Sequence, residues 1–217
     1  MAQSKTTSSD EYKALDKAFR HFNKVLFKST LPDVMFTLNR RKYMGGYFWH
    51  QIFSKRGGKE RRHEIALNPD YFKGQTDRDI MGVLVHEMCH LWQSEFGKRP
   101  SKNYHNRQFA ARMLDIGLQT SMTGKPGGDE IGRGMSHYII DGGRFDKAFQ
   151  TLARRGFKLT WESGFPKPRG KIDSSKVKFS CPSCGLNAWA IARAKLICGV
   201  CSKPQALRKM VKTVVSV

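Results

Sequence analysis

TDRDIMGVLVHEMCHLWQSEFG, residues 76–97, is the stretch whose reading decides the fold. Thr76 offers a capping oxygen, and Asp79 three residues later completes a capping box. Ile80, Val83, Leu84 and Leu91 recur at helical spacing, and Gly97 supplies the stop. Inside this helix lies HEMCH, from His86 to His90. Residues i and i+4 share one helix face, so both imidazoles can reach a single metal ion. Glu87, beside that face, can act as a general base. Cys89, between the histidines, reads as a small buried apolar group.

On the N-terminal side, Ser9 reads as a helix cap, with Asp10 and Glu11 in the first turn. Tyr12, Leu15, Phe19, Phe22 and Leu26 then form an apolar stripe that ends by Pro32. Val34–Leu38 reads as a short strand. Tyr43–Phe53 and Glu64–Leu67 read as β, with Gly57-Gly58 marking a turn between them. That hairpin tip carries Lys55, Arg56, Lys59, Arg61 and Arg62, a candidate DNA-binding cluster.

On the C-terminal side a second helix is expected from Asn103 to Ile116, with Phe109, Met113 and Ile116 buried. His105, at its expected start, is available as a third metal ligand. Three protein ligands leave one tetrahedral position open, as catalytic zinc requires. HExxH on an amphipathic helix preceded by β segments is the zincin arrangement, with Zn²⁺ as its metal. Tyr104 is a candidate oxyanion donor. Residues 121–135 read as a long loop, Arg144–Arg155 as a helix and Phe157–Trp161 as a strand. His21, His50, His63 and His137 have no partner at ligand spacing and read as surface or structural groups.

Residues 163–176, rich in Pro and Gly, read as a linker. Beyond it, CPSC (Cys181, Cys184) and CGVC (Cys198, Cys201) are separated by thirteen residues. Two such knuckles bring four thiolates around one structural zinc. The expected organisation is α+β: a zincin-like domain over 9–162, a linker over 163–176, a zinc ribbon over 177–205 and a basic tail over 206–217.

Of 217 residues, 39 are Lys or Arg and 18 Asp or Glu, a formal net charge of +21. Segments 1–75 and 171–217 each carry +8, whereas 76–125 carries +2 and 126–170 carries +3. Charge at both ends around a nearly balanced centre implies a polyanionic, phosphate-bearing partner of the nucleic-acid kind. In the ribbon, Lys176, Lys178, Arg193 and Lys195 supply the charge, and Trp189 or Phe179 an aromatic face for the bases of single-stranded DNA. No apolar run is long enough for a membrane span, and no signal-peptide core opens the chain. The expected location is cytoplasmic, nucleoid-associated if bacterial, with no membrane partner.

The order LPD, GGYF, IALNP, LVHEMCHLWQ and YHNRQFAARMLDIGL, within residues 15–118, resembles the SprT-like family, which includes the Spartan proteases that act on DNA–protein crosslinks. The four-cysteine module is similar to the ribbon that follows the catalytic domain in bacterial SprT proteins. The resemblance implies His86, His90 and His105 as zinc ligands and Glu87 as the catalytic glutamate. Asn106 stands where the family usually has Gly. A DNA-binding zinc endopeptidase that cleaves proteins on DNA follows from the resemblance; a DNA-binding regulator with structural zinc is the alternative.

Overall fold

Thr6, rather than Ser9, caps the first helix: its hydroxyl accepts the Ser9 amide, and α1 runs Thr7–Phe27. The computed structural model describes residues 6–42, 44–100, 104–164, 176–203 and 206–212. Tyr43, Asn103, most of the expected linker and the end of the expected tail fall outside these. The chain divides into two compact units, Met1–Phe165 and Pro166–Val217.

In the first unit α1 buries Leu15, Phe19, Phe22 and Leu26 as its spacing predicts, but Tyr12 is exposed and Glu11 buried. The Glu11 carboxylate accepts both the amide and the hydroxyl of Thr160, which explains its burial. β1 (Val34–Leu38), β2 (Gly46–Ser54) and β3 (Arg61–Leu67) form one sheet in the order β1-β3-β2. β1 runs parallel to β3, and β2 pairs antiparallel to it as the expected hairpin. The register skips between Trp49 and Phe53, a bulge in β2. A short helix α2 (Pro69–Phe72) follows, absent from the sequence reading.

α3 (Asp77–Phe96) has the expected boundaries: the Thr76–Asp79 capping box is formed and Gly97 closes the helix. Its residues from Ile80 to Cys89 are all buried, the signature of a central helix packed on every side. β4 (Tyr104–His105) precedes α4 (Arg107–Asp115). His105 therefore lies on a two-residue strand and not on the helix. β5 (Leu118–Ser121), β6 (Gly132–Arg133) and β7 (Ser136–Ile139) occupy and flank the region expected to be a loop. β4 pairs with β6 and β5 with β7. α5 (Arg144–Arg154) stacks Phe145 on Phe22 of α1 with centroids 5.6 Å apart. Phe157–Trp161 forms no strand: Phe157 and Leu159 are buried, but the segment is tied down by Glu11 and by Asp77, which accepts the Leu159 amide. No helix among the described residues is long and apolar enough to cross a membrane.

The second unit holds β8 (Lys176–Ser180), β9 (Asn187–Ile191) and β10 (Val211–Lys212) in the order β10-β8-β9. Its small core comprises Phe179, Cys181, Cys198 and Met210. The whole is α+β with small sheets.

Candidate metal centres

His86 and His90 leave α3 one turn apart, and β4 delivers His105 against them. His86 Nε2 and His90 Nε2 each lie 3.1 Å from His105 Nε2. Two nitrogens bound to one zinc at tetrahedral angles would sit about 3.3 Å apart. His105 Nδ1 lies 3.3 Å from the Gly132 carbonyl, which can only accept, so Nδ1 holds the proton and the Nε2 lone pair faces the other two rings. That lone pair cannot satisfy two donors, whereas a cation accepts all three nitrogens. His86 Nδ1 is buried without a hydrogen-bond partner.

Burial holds the three imidazoles neutral. Desolvation, then His90 and the other neighbouring histidines, drives His86 well below its ordinary value. Desolvation and then His105 lower His90 to about 3, and desolvation lowers His105 against the pull of the Gly132 carbonyl. Neutral imidazole is the metal-binding form. Phe109 from α4 forms the apolar wall, with ring centroids 4.2 Å from His90, 4.7 Å from His105 and 5.1 Å from His86.

Glu87 lies three residues before His90 and is buried. Burial pushes its carboxyl up to about 8, and a dication nearby would favour the carboxylate again. Cys89 is fully buried and its thiol is raised, the inert small residue read from the sequence.

Asn106 acts as a helix cap, its carbonyl oxygen accepting the Phe109 amide. The same oxygen accepts Nε2 of buried Gln93, which also donates to Gln108. This network joins the end of α3 to the start of α4 and so fixes His105 relative to His90. Sequence reading missed Gln93 and Gln108, which bear no motif. His137, read from the sequence as a surface or structural group, packs its ring on β7 5.2 Å from that of His86 and over Gly82 of α3. Tyr104 is exposed and, by strand alternation, on the face of β4 opposite His105, so nothing in its placement marks it as an oxyanion donor.

The four cysteines of the second unit also converge, their sulfurs all within 4.8 Å. Cys184 Sγ and Cys198 Sγ are 3.7 Å apart, close to the ~3.8 Å expected for two thiolates on tetrahedral zinc. Gly185, at φ 71, turns the first knuckle. Backbone amides of Cys184 and Ser183 draw the Cys181 thiol down to about 6, while hydrogen bonding with Cys184 pushes Cys201 up. The Cys181 sulfur is thereby drawn towards the thiolate form, the form that binds a metal ion.

The predicted DNA-contacting cations divide into three groups. Lys55, Arg56 and Lys59 sit at the exposed β2–β3 tip and Arg61 and Arg62 on β3, but Glu60 among them pairs with Lys55 at 3.5 Å and with Arg62. Lys176 and Lys178 alternate onto one face of β8, and the exposed Trp189 is the cross-strand partner of Lys178. Arg193 and Lys195 are exposed just after β9. Phe179 is buried in the small core, which removes it as a stacking platform.

A protein-family model described as the SprT-like family matches residues 15–126, and no curated protein matches the chain.

Proposed function

Because this chain belongs to the SprT-like family, we propose that it is a zinc-dependent endopeptidase that cleaves proteins held on DNA. The observation that carries the reading is the convergence of His86, His90 and His105 through three neutral Nε2 atoms, on the helix that also bears buried Glu87. In this reading α3 under the three-stranded sheet is the zincin core. When bound, zinc would polarise the scissile carbonyl and lower the pKa of water towards about 7. Glu87 takes the proton from the attacking water and returns it to the leaving amine. The network of Gln93, Asn106 and Gln108 keeps His105 in place, and Phe109 keeps bulk water from the rings. β2 is the sheet edge packed on α3, and an extended substrate segment lies along it as an added strand.

DNA is the second partner. The hairpin-tip cations and the Lys176, Lys178 and Trp189 face of the ribbon supply phosphate contacts and base stacking. Delivery by DNA then confines proteolysis to proteins already bound there. Incubating the protein with a DNA-bound basic protein, with and without DNA and with and without chelator, tests the reading. Cleavage that needs DNA and stops on chelation supports it; DNA binding with no metal-dependent cleavage supports a regulator with structural zinc instead.

A further inference from the structure

We propose that His50, His63 and Glu95 form a further zinc-class metal site, separate from both centres above. In chain order they are scattered, but strand pairing unites them: Trp49 faces Glu64 across the β2–β3 hairpin, so His50 and His63 meet as neighbours on one face. The end of α3 brings Glu95 to the same place. One ligand atom from each lies within 4.8 Å of the others, and the two imidazole centroids are 5.0 Å apart. His63 Nε2 is 3.3 Å from Glu95 Oε1, the separation of two donors sharing one zinc ion.

The supporting groups are also built. Ser94 Oγ lies 2.8 Å from His50 Nδ1, so it can take that proton and leave Nε2 free to ligate. Phe48 stacks on His63 and fixes its ring. His63 is buried and His50 half-buried, while the Glu95 side chain keeps 29% exposure, a route for an ion and for a coordinated water. Two imidazoles and a carboxylate suit zinc. Arg62 and Arg99 add positive charge beside the histidines, which disfavours a hard cation held by charge alone, such as Mg²⁺.

Loading the site has a structural consequence. The Gln51 amide donates to His63 Nδ1 at 3.3 Å, which places the His63 proton on Nε2, facing Glu95. An ion on Nε2 displaces that proton and leaves Nδ1 protonated, so the hydrogen bond from the Gln51 amide breaks. Gln51 sits at φ 44 in a bulge where three residues of β2 oppose one of β3, the place where this edge strand can yield.

The test is a zinc count on full-length Glu87→Gln protein, dialysed against buffered free zinc, with no proteolysis to measure. Three ions per chain are expected, falling to two in His50→Ala and, separately, in Glu95→Gln, a solvent-facing change whose retained fold is checked by circular dichroism. His86→Ala must remove a different ion, giving one per chain when combined with His50→Ala. Zinc loading must also speed hydrogen exchange at the Gln51 amide. A count of two before substitution, a count of three that survives both variants, or unchanged Gln51 exchange overturns the proposal. These outcomes leave the peptidase reading untouched, since that reading concerns the other histidines.

Discussion

Gly82 lies in the middle of α3, where alanine would ordinarily gain about 1 kcal/mol of helix stability. A Cβ built there would come within 2.9 Å of His137 Nε2, about half an ångström short of a normal van der Waals separation, with Ile139 Cδ1 at 3.7 Å behind it. The missing side chain makes room for an imidazole that packs beside His86. Overpacking of this kind costs about 1–3 kcal/mol, so Gly82→Ala should give a net loss of up to about 2 kcal/mol. In a His137→Ala background the clash disappears, and the same change should stabilise by about 1 kcal/mol. The coupling between the two sites is then about 1–3 kcal/mol. Urea melts of the four proteins followed by far-UV circular dichroism report it, because every helix among the described residues belongs to the first unit. A coupling below about 0.5 kcal/mol refutes the reasoning, and so does stabilisation by Gly82→Ala alone.

Asn106→Ala should cost about 1 kcal/mol in the same melts by uncapping α4, whereas Asn106→Gly should cost only a few tenths from the cap itself; equal losses would show that capping is not its role. Cys184→Ser should remove one zinc per chain and the fixed structure of the β8–β9 hairpin, while metal in the first unit stays; an unchanged count contradicts a four-thiolate site. Replacing Lys55, Arg56 and Lys59 together by alanine should lower the salt slope of duplex DNA binding by about 2–3, at about 0.9 for each phosphate no longer neutralised. An unchanged slope would remove the hairpin tip from the DNA surface.

What the sequence made legible was local. The Thr76–Asp79 box and Gly97 set both ends of α3, and His86, Glu87 and His90 lie within five residues, so helix geometry alone relates them. The four cysteines announce themselves by spacing. What stayed hidden depends on pairing between distant segments. Tyr104–His105 is a strand because residues 132–133 lie beside it, within a Gly-rich stretch that reads as loop. Phe157–Trp161 has the composition of a strand but finds no partner, since Thr160 is engaged by Glu11. Glu11 itself looks like a surface acid until that hydrogen bond is known. His50 and His63 meet only when β2 folds onto β3, and His137 finds His86 only because Gly82 has no side chain. Asn106, where the resemblance leads to an expectation of Gly, caps α4 through its side chain.

The central claim, that Glu87 performs peptide hydrolysis beside a metal held by three histidines, is tested most directly by Glu87→Gln. Zinc content and cleavage of a DNA-bound protein should be measured on the same preparations of wild type and variant. The account predicts equal zinc, equal DNA binding and complete loss of cleavage in the variant. Cleavage by Glu87→Gln at the wild-type rate, in protein free of contaminating protease, would contradict it.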